Sequence, residues 1–293
     1  GRRGRALRYG LAPPAQPERI AGAKSEDGRM HMLNDRHDVV PTMEAYPMRS
    51  GLRLWWFGGP SYAIRSPQSI VYIDPFHSDE RANDPQGFIR AIPNVFFPQD
   101  VTRADLILST HDHIDHCDPE TLGPMCARTS ALLVAAPSSA AKMAGWDFTA
   151  GRVDTMPPGA ARTYGDIEIT AYGCRDWSDP GAVTYVLRSQ GRSVFIGGDT
   201  LYTEALAEVG RAETIDLAVL SLARNRRDII DQELYVDPAE LARAARALKT
   251  KRVLPVHWDI WKAWQEDPHL VEPHLAGSGI ELVLLAQGES MAI

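Results

Sequence analysis

Apolar positions along this chain fall into short runs that alternate with turn residues, and only a few segments carry the 3.6-residue spacing of a helix. The runs over 52–57, 62–65 and 70–73 are β-branched or aromatic and are separated by Gly58, Gly59, Pro60, Ser66 and Pro67, which predicts an antiparallel meander. Further runs predict strands over 105–109, 131–135, 167–171, 183–188, 193–197, 217–220, 252–256 and 281–285. Helical spacing appears over 119–127, 139–144, 203–208, 238–248 and 260–266. Two of these helices have explicit start signals, Asp118 before Pro119 and Asp237 before Pro238, each an N-cap carboxylate followed by proline at the first helical position. Strands and helices interspersed in both halves predict an α/β fold in which two sheets pack together under outer helices, a four-layer αββα sandwich. Residues 1–48 lack either period and carry Pro13, Pro14, Pro17, Pro41 and Pro47. They read as an extended N-terminal arm ahead of a single domain over 49–293, ordered by packing on the body or on a second subunit, and so allow a homo-oligomer.

Composition narrows the partners. With 31 Lys and Arg against 38 Asp and Glu the net charge is −7, the wrong sign for a protein whose main ligand is a nucleic acid. A small anionic substrate remains compatible. No apolar run approaches the ~20 residues of a membrane span, and no apolar stretch follows the Arg-rich start as a secretory leader requires. Cys117, Cys126 and Cys174 are too few and too scattered for a disulfide framework. A cytoplasmic location is expected.

The chemistry concentrates in Ile107-Leu108-Ser109-Thr110-His111-Asp112-His113-Ile114-Asp115-His116, an apolar strand running into H-x-H-x-D-H. Residues two apart in an extended stretch share a side, so His111 and His113 can hold one cation while Asp115 and His116, at the turn toward the capped helix, reach a second. Imidazole and carboxylate without thiolate suit zinc, manganese, iron or nickel better than a soft metal. Gly197-Gly198-Asp199 and Val256-His257 each follow an apolar strand. Taken singly, the first is usually a turn and the second a surface or core histidine. Both sit just past a strand end, as the histidine motif does, and that shared placement predicts convergence on one edge of the sandwich.

These motifs resemble those of the metallo-β-lactamase fold superfamily, and in particular its L-ascorbate 6-phosphate lactonase branch. The resemblance covers about residues 52 to 285 and rests on Trp55-Trp56-Phe57-Gly58, Asp74-Pro75-Phe76, Ser109 through His116, Gly198-Asp199, His257-Trp258-Asp259-Ile260-Trp261 and Gln265-Glu266-Asp267-Pro268. It implies a metallo-β-lactamase-like hydrolase domain, with His111, His113, Asp115, His116, Asp199 and His257 lining a site for one or two divalent ions per chain, manganese or zinc. It also implies that Asp74 supports the histidine loop without binding metal. A further histidine usual in the superfamily after the strand over 167–171 is replaced by Tyr172-Gly173-Cys174-Arg175-Asp176, leaving Cys174 or Asp176 as the replacement ligand. The branch pattern also departs at the turn over 176–182, at Leu201 and in a shorter C-terminus.

The implied reaction is hydrolysis of a phosphorylated or plain sugar lactone by a metal-bound hydroxide, with Asp115 or water carrying the proton to the leaving alkoxide. Arg224, Arg226 and Arg227 follow the strand over 217–220, and their planar guanidinium forks match a phosphate. The competing reading is a solvated basic loop paired with Asp228 and Asp231. Trp258, Trp261 and Trp264 recur at helical spacing and read as a packed face, with Trp258, beside a ligand, walling the pocket. A phosphodiesterase, acting on small or cyclic phosphate esters, and a non-catalytic metal-binding protein are the alternatives on the same fold.

Overall fold

The central strands are apolar on both faces because each face meets a different layer. In β1 (Arg53–Gly58), Leu54 and Trp56 enter one core cluster while Trp55 and Phe57 enter another, following the two-residue alternation of a strand. The structure is a computed structural model that describes residues 36–78 and 86–293. The expected arm over 1–35 lies outside the described residues.

In chain order the strands are β1, β2 (Ser61–Arg65), β3 (Ile70–Ile73), β4 (Leu106–Ser109), β5 (Leu132–Ala135), β6 (Val153–Thr155), β7 (Ala161–Tyr164), β8 (Ile167–Gly173), β9 (Val183–Ser189), β10 (Arg192–Ile196), β11 (Leu217–Ser221), β12 (Arg252–Val256), β13 (Glu281–Leu282) and β14 (Ser290–Ala292). The helices are α1 (Val39–Ala45), α2 (Pro119–Arg128), α3 (Pro137–Met143), α4 (Ala205–Ala212), α5 (Pro238–Ala247) and α6 (Glu272–Leu275). One sheet has the order β14-β1-β2-β3-β4-β5-β6 and the other β13-β12-β11-β10-β9-β8-β7. Each begins antiparallel and turns parallel: β1, β2 and β3 form the expected meander, after which β3 pairs parallel to β4 with Val71 opposite Leu106. In the second sheet β10, β11 and β12 are parallel.

The two sheets share a core that includes Leu54, Ile64, Leu108, Ile169, Leu187, Ile196 and Leu254. The outer face of the first sheet packs under α1, α2 and α3 through Met43, Leu122 and Met143. The outer face of the second packs under α4 and α5 through Leu206, Val209, Leu241 and Leu248. This is the αββα sandwich. The two capped helices start as expected: Asp118 accepts from Glu120 N at 3.1 Å and Asp237 from Glu240 N at 2.8 Å.

Two segments depart from the sequence reading. Within the arm, Val39–Ala45 is helical, with Val39, Val40 and Met43 buried against the first sheet. Its exposed last carbonyls are answered by the buried Arg65, which donates to Met43 O, to Glu44 O at 3.0 Å and to Tyr46 O at 2.9 Å, as the end of a helix requires. Residues 260–266 form turns and no helix. Their backbone is claimed by another segment: Ala91 N donates to Ile260 O at 2.7 Å, Lys262 N donates to Ile89 O at 2.9 Å, and Arg90 bridges Trp261.

Candidate metal centre

Parallel strands present their carboxyl ends to one edge, which is where α/β sheets gather ligands. Asp74 follows β3, the histidine motif follows β4, Asp199 follows β10 and His257 follows β12. Two of these positions are held in the left-handed region, Asp74 at φ 43° and His257 at φ 70°, a conformation that costs about 1–3 kcal/mol at a non-glycine residue and persists where the surroundings impose it. For Asp74 the imposing contacts are plain. Its Oδ1 accepts Thr110 N at 2.8 Å, and its Oδ2 accepts Thr110 Oγ1 at 2.7 Å and His116 Nδ1 at 2.8 Å. The carboxylate therefore holds the proton on Nδ1 of His116 and leaves Nε2 as a metal donor.

Two groups of donors lie on this edge. His111, His113 and Asp199 form one, and Asp115, His116 and His257 the other; in each, the donor atoms lie within 4.8 Å of one another. The Asp199 Oδ2 also lies 3.3 Å from His116 Nε2 and 3.6 Å from His257 Nε2, so this carboxylate touches both groups. A divalent cation fits the chemistry of the set. His116 Nε2, Asp199 Oδ1 and Asp176 Oδ2 are buried without a hydrogen-bond partner among the described residues, an expensive arrangement that coordination relieves.

The electrostatics point the same way. Burial pushes the Asp199 carboxyl up, but His257 and His116 overcome it and hold the group far below the usual carboxylate range. Burial pulls His116 down, yet Asp199, Asp115 and Asp74 raise it well above an ordinary histidine. His111, buried and facing His116, is pushed well below the histidine range and stays neutral, as a ligand must. The cluster thus draws positive charge to its centre, and a divalent ion answers the same field.

Of the two candidate replacements for the absent histidine, Asp176 is the one that faces the first group. Its carboxylate lies 3.8 Å from His113 Nε2 and 4.0 Å from His111 Nε2. Burial pushes the Cys174 thiol up, and Cys174 belongs to neither donor group. Asp115 Oδ2 lies 3.0 Å from His257 Nε2 and accepts the Trp261 Nε1 hydrogen bond at 3.0 Å. Burial raises Asp115, but His116 and His257 more than reverse this and hold it well below the usual range. The carboxylate is thus ionised within the second donor group.

A cavity of about 220 Å³ opens beside these groups and shares His113 and Asp115 with them; Phe88, Ile114, Trp177, Ile230, Tyr235 and Trp261 supply much of the rest of its wall. The structure does not bring the expected arginines there. Arg224 pairs with Glu266 at 3.3 Å, Arg226 with Asp228 at 2.7 Å and Arg227 with Glu233 at 3.9 Å. Trp258 is also outside the wall, tilted against Trp56 with ring centres 5.6 Å apart; Trp261 takes the wall position. Trp177 and Ser178, whose Oγ lies 2.8 Å from His113 Nε2, carried no signal in the sequence beyond their nearness to Asp176.

Gly198 shows how tightly the edge is drawn together. It has φ +52°, and a Cβ there would stand 2.7 Å from Thr110 Oγ1 and 2.9 Å from Thr110 Cβ. Gly198→Ala is expected to lower stability by about 1–3 kcal/mol and to weaken metal retention by displacing Thr110 from Asp74. Urea denaturation and metal analysis of the variant check both.

Comparison with known proteins agrees with this geometry. Residues 70–258 match the family model for the beta-lactamase superfamily domain. The chain is 30% identical over 203 residues to a probable L-ascorbate-6-phosphate lactonase of Escherichia fergusonii, a match covering 61% of this chain and 56% of that protein. The match thus spans little more than half the length of that relative. Among solved structures, an isothiocyanate hydrolase from Delia radicum gut bacteria superposes with a TM-score of 0.67 at 16% identity, covering 82% of this chain and 99% of that one. CmlA, a diiron β-hydroxylase from Streptomyces venezuelae, superposes with a TM-score of 0.65 at 16% identity, covering 85% of this chain and 55% of that one. Two sheets under outer helices, two His/Asp donor groups at the strand ends and a family match across both halves of the sandwich lead to one conclusion: the chain belongs to the beta-lactamase superfamily, with the metallo-β-lactamase fold.

Proposed function

We propose that the chain is a divalent-metal-dependent hydrolase of carboxylic esters, acting on a lactone. The observation that carries this reading is that His113 and Asp115 belong both to the donor groups and to the wall of the cavity, so a molecule held in the cavity has its reacting bond at the metal site. His111, His113 and Asp199, with Asp176 beside them, would hold one ion, and Asp115, His116 and His257 the other. Such ions supply Lewis acidity and lower the pKa of water. The chain's own part is positioning. Asp74 and Thr110 orient His116, Ser178 contacts His113, and the Trp261 indole fixes the Asp115 carboxylate. No serine or cysteine nucleophile is needed. The probable lactonase from Escherichia fergusonii supports a lactone as the ester, and Arg224, Arg226 and Arg227 pair with carboxylates away from the cavity wall.

The test is metal content on protein purified without chelator, followed by assays with manganese or zinc against a lactone panel and bis-p-nitrophenyl phosphate. About two ions per chain with lactone turnover is the expected result. Turnover of the phosphodiester alone would move the assignment to a phosphodiesterase, and retained metal without turnover on either panel to a binding protein.

A further inference from the structure

The wall of the cavity says what kind of lactone. Phe88 comes from the segment after β3, Ile114 from the histidine motif, Trp177 from the turn after β8, Ile230 and Tyr235 from the segment after β11, and Trp261 from the turns after β12. Five separate stretches of chain therefore deliver apolar or aromatic side chains to one small space. Trp177 lies beside His113, with ring centres 5.9 Å apart, and Phe88 meets Trp261 edge-on at 5.8 Å. Among the described residues no lysine or arginine lines this space.

We infer, resting on the hydrolase reading above, that the substrate is an uncharged lactone whose non-reacting part is a single flat apolar ring. A phosphate carries about −1.5 to −2 charges at neutral pH, and placing it among Phe88, Ile114, Ile230 and the two indoles, where no described residue supplies a cation, costs more than the contact returns. A polyhydroxylated sugar ring would find polar partners at Gln86, Tyr235, His113 and Asp115, the last two belonging to the metal site, and would turn its other hydroxyls toward Phe88, Ile114, Ile230 and the indoles. An aromatic ring loses little on leaving water and gains offset or edge contacts with Trp177, Trp261 and Phe88. Size agrees: about 220 Å³ lies below the ~300–1,000 Å³ of pockets for drug-sized ligands, which suits an aromatic ring fused to the lactone.

The experiment uses the full chain loaded with manganese or zinc and compares kcat/KM for dihydrocoumarin, gluconolactone and gluconolactone 6-phosphate. In parallel, binding of 3,4-dihydro-2-quinolinone, the lactam of the same shape that resists hydrolysis, is read by tryptophan fluorescence. Dihydrocoumarin is expected to be preferred over either sugar lactone by about 100-fold, the scale of a few kcal/mol of apolar contact. Trp177→Ala is expected to weaken lactam binding about tenfold, and Ile230→Arg to weaken it while narrowing the gap to the phosphorylated lactone. Trp177 sits on a surface turn, and if either variant misfolds, the substrate ratio of the unaltered protein still decides. Preference for gluconolactone 6-phosphate would overturn the inference and leave the lactonase reading standing. Lactam binding sensitive to Trp177→Ala without hydrolysis of any ester would support the ring site and sink the lactonase reading. Absence of both would overturn the two together.

Discussion

Asp199→Ala is expected to remove nearly all activity, a fall in kcat/KM of at least about 10³-fold, or some 4 kcal/mol of transition-state stabilisation. Other ligands serve one donor group, whereas the Asp199 carboxylate is grouped with His111 and His113 and also lies 3.3 Å from His116 Nε2 and 3.6 Å from His257 Nε2. Its loss should therefore lower bound metal at both positions, which metal analysis of the purified variant reads directly. Asp199→Asn keeps the shape and loses the charge; it should fail almost as badly if the anion is what matters. The metal-free protein gives a second readout through pH. Asp199 is held below its ordinary range and His116 and His257 above theirs. A depressed carboxyl contributes stability above its unfolded pKa of about 3.9, and a raised histidine contributes below its unfolded pKa of about 6.5. In chelated samples the stability gap between the natural protein and Asp199→Ala should accordingly be widest between roughly pH 4 and 6.5 and shrink as pH rises through the elevated histidine values. A gap independent of pH would show that Asp199 does not act as their counter-ion.

The sandwich and the grouping of the donors were legible in the sequence for reasons that also explain what was not. Strands such as β3 and β12 are buried on both faces, so they appear as continuous apolar runs with sharp ends. Edge strands carry no such mark: β6, β7 and β14 are short, and β7, Ala161–Tyr164, is mostly exposed. The helix expected over 260–266 rested on tryptophans three residues apart, a spacing that also suits turns when each ring packs on a different neighbour. His257 leaves β12 at φ 70°, and the 89–91 segment takes the backbone groups that a helix would have used. The candidate donors were readable because one contiguous motif carries four of them and strand ends carry the rest. The cavity was not, since apart from His113 and Asp115 its walls come from residues far apart in the chain whose chemistry announces no site. Arg224, Arg226 and Arg227 had a chemistry that announces one, and they stand beside Glu266, Asp228 and Glu233 away from the cavity wall.

Asp74→Ala should show that a residue which binds no metal can cost nearly as much as one that does. The carboxylate is buried and left-handed, and three donors converge on it: Thr110 N, Thr110 Oγ1 and His116 Nδ1. Burial raises its pKa, and His116 opposes that rise. Removing it strands the backbone and hydroxyl donors of Thr110 and leaves a buried His116 with one counter-ion fewer. Breaking a buried pair in this way typically costs 3–5 kcal/mol, so the chemical denaturation midpoint should fall sharply even with metal present. His116 would also lose the contact that fixes which nitrogen bears the proton, and outer contacts of this kind are worth about 10–100-fold in metal affinity. Asp74→Asn separates the two effects. Its amide oxygen can still accept from Thr110 N, but its NH2 cannot accept the His116 Nδ1 proton, so it should recover part of the stability while metal affinity stays low. Equal recovery of both would mean that Asp74 only fills space and satisfies Thr110, and that His116 is oriented by something else.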